Sequence, residues 1–311
     1  MTRALVLVVK LLGLVVLHVA LLLVGTGLFP VPGAQTLSPA QQQLALGAAV
    51  LVAVLDTAVL SLIASRTRLR GWRAYLAFAG VFWGVKTFTS LLEAGWFMPN
   101  VTAPMLPAMA GMTLPLCLGY PVALLAAFRL WRRDPTQEPA WRGAELPAGE
   151  LALKVVVLSA LVYPVLFFLF GYFVAYASPA VREFYGDTTQ AGLVSHLRAL
   201  FARDPWVWPF EALRGLLWIA LALPVLRTVR GPAWLPPVLV GLLFCVVQND
   251  VHLMPNPLMP REVGLVHLVE TGSSNFLWAL AIGWLLGRSH ARPREDRTAR
   301  PSFGPWGLTR Q

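Results

Sequence analysis

Asp250 and His252 stand two residues apart, and His267 and Glu270 stand three apart a short way downstream. The i,i+3 spacing of the second pair puts both side chains on one face of a helix. Two imidazoles and two carboxylates are ligand types that hold zinc with one position left for water, and they also suit general acid and base work. The chain has no HExxH and no paired CxxC, so zinc at Asp250, His252, His267 and Glu270 rests on residue types alone. Residues 248–252 and 267–275, Asn275 included, form the densest polar stretch in an otherwise apolar sequence. A hydrogen-bonded seam between two helices, closely packed at Gly272, Ser273 and Ser274, explains part of the same pattern but explains the charged members less well.

A second set of charges lies deeper in apolar sequence. Asp56 and Lys86 each fall twelve residues into a hydrophobic stretch, entered from opposite ends. Both therefore approach the middle of a bilayer, where pairing offsets the burial of two charges. With His18 at similar depth, the pair reads either as a proton or ion relay or as a structural contact fixing helix packing. Glu93, Glu211 and Arg214 fall nearer the depth of the first cluster, so the two sets together outline a polar pathway.

The elements that must position these groups are helices of membrane length. Eight apolar stretches can be read, at 4–29, 44–64, 74–97, 112–131, 151–176, 206–226, 234–251 and 263–286. Each is about long enough to cross a hydrocarbon core of roughly 30 Å at 1.5 Å per helical residue. With 57% hydrophobic and 13% charged residues, most of the surface is unsuited to water. The expectation is an all-α polytopic membrane bundle of about eight transmembrane helices, without a soluble catalytic domain. It divides into helices 1–4 over 1–131, a linker at 132–150, helices 5–8 over 151–287 and a basic tail at 288–311. Within the loop 178–205, Asp187 and Gln190 are placed to cap a short amphipathic helix carrying Leu193, Leu197, Leu200 and Phe201 on one face. Pro164 and Pro224 are expected to kink their helices.

The distribution of basic residues orients the bundle. Arg66, Arg68, Arg70 and Arg73 share one side with Arg129, Arg132, Arg133, Arg142, Arg227, Arg230 and the arginines of the tail, against Arg182, Arg198, Arg203 and Arg261 on the other. That asymmetry places both termini in the cytoplasm, and the preference for arginine over lysine, with abundant Ala, Leu, Pro and Gly, points to a bacterial inner membrane. The first stretch is longer than a typical signal-peptide core and carries Lys10 and His18, so it reads as an uncleaved helix. The net charge of +10 sits beside membrane spans and points to anionic lipid headgroups, not nucleic acid. Cys117 and Cys245 both fall within spans and suggest no disulfide framework.

The two halves share marks in corresponding places: Lys10 and Lys154, Asp56 and Glu211, and a Met-Pro-Asn tripeptide at 98–100 and at 254–256. Two readings stand, a 4+4 parallel repeat about an axis along the membrane normal or chance recurrence in leucine-rich sequence. The leading expectation for function is movement of a small polar solute or ion through a polar cavity. The alternatives are a membrane-embedded hydrolase or transferase acting on a lipid or lipid-linked substrate at the outer leaflet, and a structural membrane subunit.

Overall fold

The computed structural model describes residues 2–32, 38–98, 100–132, 146–187 and 191–287. The basic tail and most of the linker expected at 132–150 lie outside them. The regular secondary structure of the described residues is entirely helical, apart from two isolated β-bridges. Seven helices are long and apolar enough to cross a membrane: α1 (Ala4–Leu28), α2 (Pro39–Arg66), α3 (Gly71–Phe97), α4 (Ala103–Ala127), α5 (Ala148–Ala175), α8 (Val207–Thr228) and α9 (Leu235–Leu253). Two short helices lie between α5 and α8, α6 (Pro179–Phe184) and α7 (Leu193–Arg203), and α10 (Arg261–Leu286) completes the bundle.

The count of eight expected from the sequence is not met by the same measure. The eighth helix, α10, has 26 residues, but Glu262, His267, Glu270 and the polar run to Asn275 dilute its apolar character. Glu270, Ser274 and Asn275 are buried, so these groups face neighbouring helices.

Helix boundaries follow local chemistry. The α2 helix begins at Pro39, five residues before its expected start, because Ser38 and Gln41 form a reciprocal capping box. Its first turn is polar and escapes a search for apolar runs. The α4 helix starts at Ala103 and changes geometry near Thr113, with Pro104, Pro107 and Pro115 in first turns where no backbone donor is needed. A π-helical turn at Leu158–Val162 directly precedes Pro164, whose ring removes one donor from the ladder. The expected Asp187 cap is not observed: α7 starts at Leu193 after Gly192, and the Asp187 carboxylate lies 4.0 Å from His196 Nδ1. Gln190 lies outside the described residues.

Alternation of the helices gathers Arg66, Arg68, Arg70, Arg73 and Arg129 at one end of the bundle, the arginine-rich end, and α6 and α7 at the other, the loop end. The α1 helix packs on α2 and α4, and α4 on α3. In the second half, α8 packs on α5 and α9, and α9 on α10, while α2 and α3 meet α9 and α8 across the middle. At the arginine-rich end α2 and α8 are tied together: the Arg68 amide donates to the Thr228 carbonyl at 2.9 Å, the Arg230 amide donates to the Arg66 carbonyl at 2.8 Å, and the Thr67 and Thr228 hydroxyls are 3.1 Å apart. Gly71 takes a positive φ of 58° in the tight turn into α3 and donates its amide to Leu130 at 2.8 Å.

The radial distribution of side chains differs from that of a water-soluble protein in its apolar exterior and in the charges within its largely apolar core. Leu12, Val16, Leu76, Leu153, Phe173 and Val269 are exposed, whereas Asp56, Lys86, Glu211, Arg214 and Asp250 are buried. Apolar groups outside and paired charges inside are the arrangement that a lipid solvent favours.

Candidate functional site

Four helices bring charge to the middle of the bundle. His18 of α1, Asp56 of α2, Lys86 of α3 and Asp250 of α9 form a single buried cluster. The Lys86 ammonium lies 2.8 Å from Asp56 Oδ2 and in contact with Asp250 Oδ1, while His18 Nε2 lies 2.8 Å from Asp56 Oδ2. Lys86 sits within a π-helical turn, Gly84–Phe88, and Asp250 follows another, Leu243–Val247. Such turns shift the register by one residue and re-aim the side chains beyond them. Tyr120 stands edge-on to His18 at 5.5 Å and donates its hydroxyl to Thr57 at 2.9 Å, supporting the cluster from α4.

Placement of Asp250 separates it from the residues with which its spacing grouped it. Residues 250–253 form a tight 3-10 turn, and the Asp250 carboxylate reaches inward to the Lys86 ammonium. His252 lines the loop-end cavity, its ring 6.1 Å from that of His267. His267 Nδ1 lies 3.2 Å from Glu270, and its Nε2 lies 3.2 Å from the Tyr185 hydroxyl. The quartet Asp250, His252, His267 and Glu270 is therefore not brought together as a ligand set. Among the described residues no group of three or more His, Cys, Asp or Glu is placed to hold a metal ion.

The second charged cluster lies closer to the loop end. Arg214 Nη1 donates to both oxygens of Glu211 at 2.9 Å, and Nη2 donates to Glu93 at 2.6 Å. The guanidinium is also within 6 Å of the ring centroids of Tyr163, Phe167 and Phe210, a range in which cation–π attraction operates. Glu211 and Arg214 share one helix at i,i+3, so their pairing is local, whereas Glu93 comes across from α3. Asn275 extends the polar network by donating to Gln248 Oε1 at 3.2 Å, and Gln248 donates to Ser90 at 3.3 Å.

Two cavities meet at Glu93. The first, about 180 Å³, is lined by Asn256, Pro260 and Arg261 at the loop end and by Lys86 and Thr113 at its deepest point. The second is a chamber of about 480 Å³ beneath α6 and α7, with Trp96, Phe168, Tyr176 and Glu270 in its walls. Both also share Phe97, Tyr185 and His267. From Lys86 toward the arginine-rich end the path is filled by apolar groups: Phe82, Leu124, Trp218 and Phe244 are fully buried, with the Trp218 and Phe244 rings 4.4 Å apart.

Tyr185 joins the site from the loop, and nothing in its local spacing marks it. Burial first, then the carboxylates of Glu93 and Glu270, hold its phenol above the ordinary value, so it keeps its proton at neutral pH. The carboxylate beside His267 Nδ1 assigns the ring proton to that nitrogen, and Nε2 then accepts from Tyr185. The assembled region offers a deep ion cluster, a relay of Glu270, His267 and Tyr185 at the chamber wall, and cavities that reach it from the loop end. No known family model, curated protein or solved structure matches this chain.

Proposed function

We propose that this chain moves a small polar solute or ion across a membrane, coupled to a proton taken up at the Lys86 cluster. The observation that carries the reading is the cavity lined from Arg261 to Lys86, with apolar packing sealing the remainder of the path. Transport by alternating access needs a central site reached from one side at a time. One ammonium faces two carboxylates, which leaves one excess negative charge between the three groups. That charge favours uptake of a proton when no solute cation is present. In this reading α10 also spans the membrane, the arginine-rich end faces the cytoplasm of a bacterial cell and contacts anionic headgroups, and the loop end faces outward.

Three correspondences support reading the halves as a parallel repeat. The α3 and α9 helices each carry a π-helical turn, α2 and α8 are joined at matching ends by Thr67 and Thr228, and each half supplies one cation that pairs with a carboxylate of its own half and one of the other. Superposing α1–α4 on α5, α8, α9 and α10 in an experimental structure tests this directly.

Reconstituted vesicles test the transport reading. A panel of sugars, amino acids, amines and inorganic ions should reveal a solute whose flux depends on a pH gradient and is abolished in Asp56→Asn and Asp250→Asn. A wild-type protein that moves none of the panel and takes up no protons removes the reading. One observation favours a second reading: the Glu270, His267 and Tyr185 relay ends at a chamber large enough for a lipid headgroup, which suits acid and base catalysis on a lipid. Lipid turnover lost in Glu270→Gln, with no solute flux in the wild type, would favour it.

A further inference from the structure

The chamber beneath α6 and α7 has a wall chemistry unlike the rest of the bundle. Trp96 of α3 and Phe168, Tyr172 and Tyr176 along the last turns of α5 contribute aromatic surface. Tyr176 lies nearly parallel to Tyr185 at 6.3 Å, and Tyr172 is held by donating its hydroxyl to the Ala191 carbonyl at 2.8 Å. Trp96 is stacked on Phe210 at 4.1 Å and donates its indole N–H to Asp204 at 2.8 Å, which fixes the ring at the chamber wall. These contacts set the rings before any ligand enters, so little ordering is required on binding.

The charges of the chamber have one predominant sign. Glu93, Glu183, Asp204 and Glu270 border it, against Arg203 as its one bordering arginine or lysine among the described residues. Arg214 nearby is already shared by two carboxylates. Burial pushes the His196 imidazole below its ordinary pKa, so this ring brings no positive charge at neutral pH. Aromatic faces present negative quadrupole potential, and the carboxylates of buried Glu270 and partly buried Glu93 reinforce it. A volume of about 480 Å³ lies within the ordinary range for small-molecule sites.

We infer that this chamber binds an organic cation, an amine or quaternary ammonium group carried on an apolar body. The inference rests on the transport reading only in naming the solute class. Two sources share that chemistry, a free organic cation and the choline or ethanolamine headgroup of a lipid.

The test uses the full chain in nanodiscs of phosphatidylglycerol, with radiolabelled benzyltrimethylammonium as probe and phenylacetate as its anionic counterpart. Saturable binding of the cation, with none of the anion, is expected. Glu270→Gln and Tyr176→Leu should each weaken binding about tenfold or more, while Tyr176→Phe, which keeps the ring face, should bind as the wild type does. That last variant separates loss of the ring from loss of the fold. Nanodiscs containing phosphatidylcholine distinguish the sources: displacement of the probe assigns the chamber to the lipid headgroup, and unchanged binding assigns it to a free cation. No saturable binding, or equal binding of phenylacetate, overturns the inference. Cation binding without any solute flux would leave it standing and remove the transport reading, whereas proton-coupled flux without cation binding would do the reverse.

Discussion

The clusters around Lys86 and Arg214 contain the same formal charges, one cation and two carboxylates, but they are built differently. Arg214 holds Glu211 from its own helix and Glu93 from α3, and the Glu93 side chain keeps 27% of its exposure at the cavities. The planar guanidinium divides its fork, Nη1 on Glu211 and Nη2 on Glu93, which fixes direction as well as charge. Lys86 is a point charge between Asp56 and Asp250, both essentially inaccessible to solvent and contributed by different helices. The polar atoms left over also differ. Among the described residues Asp56 Oδ1, Asp250 Oδ2 and His18 Nδ1 are buried without a hydrogen-bond partner, whereas Arg214 Nε is the corresponding atom of the other cluster. Two carboxylate oxygens and an imidazole nitrogen can take a proton; a guanidinium N–H cannot. The Lys86 cluster therefore has the means to change protonation, and the Arg214 cluster has the geometry of an anchor.

Removing each cation should expose this difference most strongly. Lys86→Met leaves two carboxylates buried together, and a loss of about 3–5 kcal/mol is expected from unfolding in detergent. Adding Asp56→Asn and Asp250→Asn should recover a large part of it. Arg214→Met should cost less, about 2–3 kcal/mol, because the Glu93 side chain is 27% exposed and is not left wholly buried. Equal losses, or a larger loss at Arg214, would break the distinction between a buried switch and a partly solvated anchor.

A conservative exchange of the second cation sharpens it. Arg214→Lys keeps the charge but not the fork, and a loss of about 1–2 kcal/mol is expected from the missing charge-assisted hydrogen bond. Proton uptake by the Lys86 cluster, followed with a pH-sensitive dye in vesicles, should be unaffected by this variant. A matching fall in uptake would show that the clusters operate as one unit.

Packing beside the clusters should differ in the same sense. A Cβ on Gly215 would meet the Ser159 Cα and carbonyl oxygen and Tyr163 Cβ, each at 3.0 Å, where α8 rests on α5. Gly84, next to the Lys86 turn, would meet only the end of the Leu221 side chain. Gly215→Ala is expected to destabilise by about 1–3 kcal/mol because backbone must move, and Gly84→Ala by less because a rotamer change suffices. Thermal melts in which Gly84→Ala is the worse variant would contradict this account.

The smallest effect concerns pH at the chamber. Burial depresses the folded-state pKa of His196 below its ordinary value of about 6.5, although Asp187 opposes the shift. The unfolded chain then binds more protons below that value, so stability should fall with pH as it drops through this window and level off above it. His196→Gln should flatten the slope; an unchanged slope would place the titrating group elsewhere.

Local signals were enough to read where most of the helices lie, whereas Glu211 and Arg214 were read only as sharing a depth, although their i,i+3 spacing allows the ion pair that the structure contains. The depth of Asp56, Lys86 and His18 in apolar sequence was likewise legible, since a charge in lipid must find a partner. The partner of Asp250 was not, because a π-helical turn ahead of it and a tight turn through it decide where its carboxylate points. The start of α7 was misread because Gly192, not Asp187, precedes the helix, and glycine leaves no side-chain signature of a cap. Tyr185 enters the site from a loop whose course depends on what it packs against.

Hydrophobic length, the arginine distribution and the identities of the buried charges are properties of the chain itself, because transfer to lipid acts on each segment separately. Which distant carboxylate completes each cluster, Asp250 at Lys86 and Glu93 at Arg214, and the formation of an aromatic chamber at Glu93 depend on contacts between residues more than a hundred positions apart. Those contacts exist only after the helices have packed, because their register sets the direction of every side chain at once.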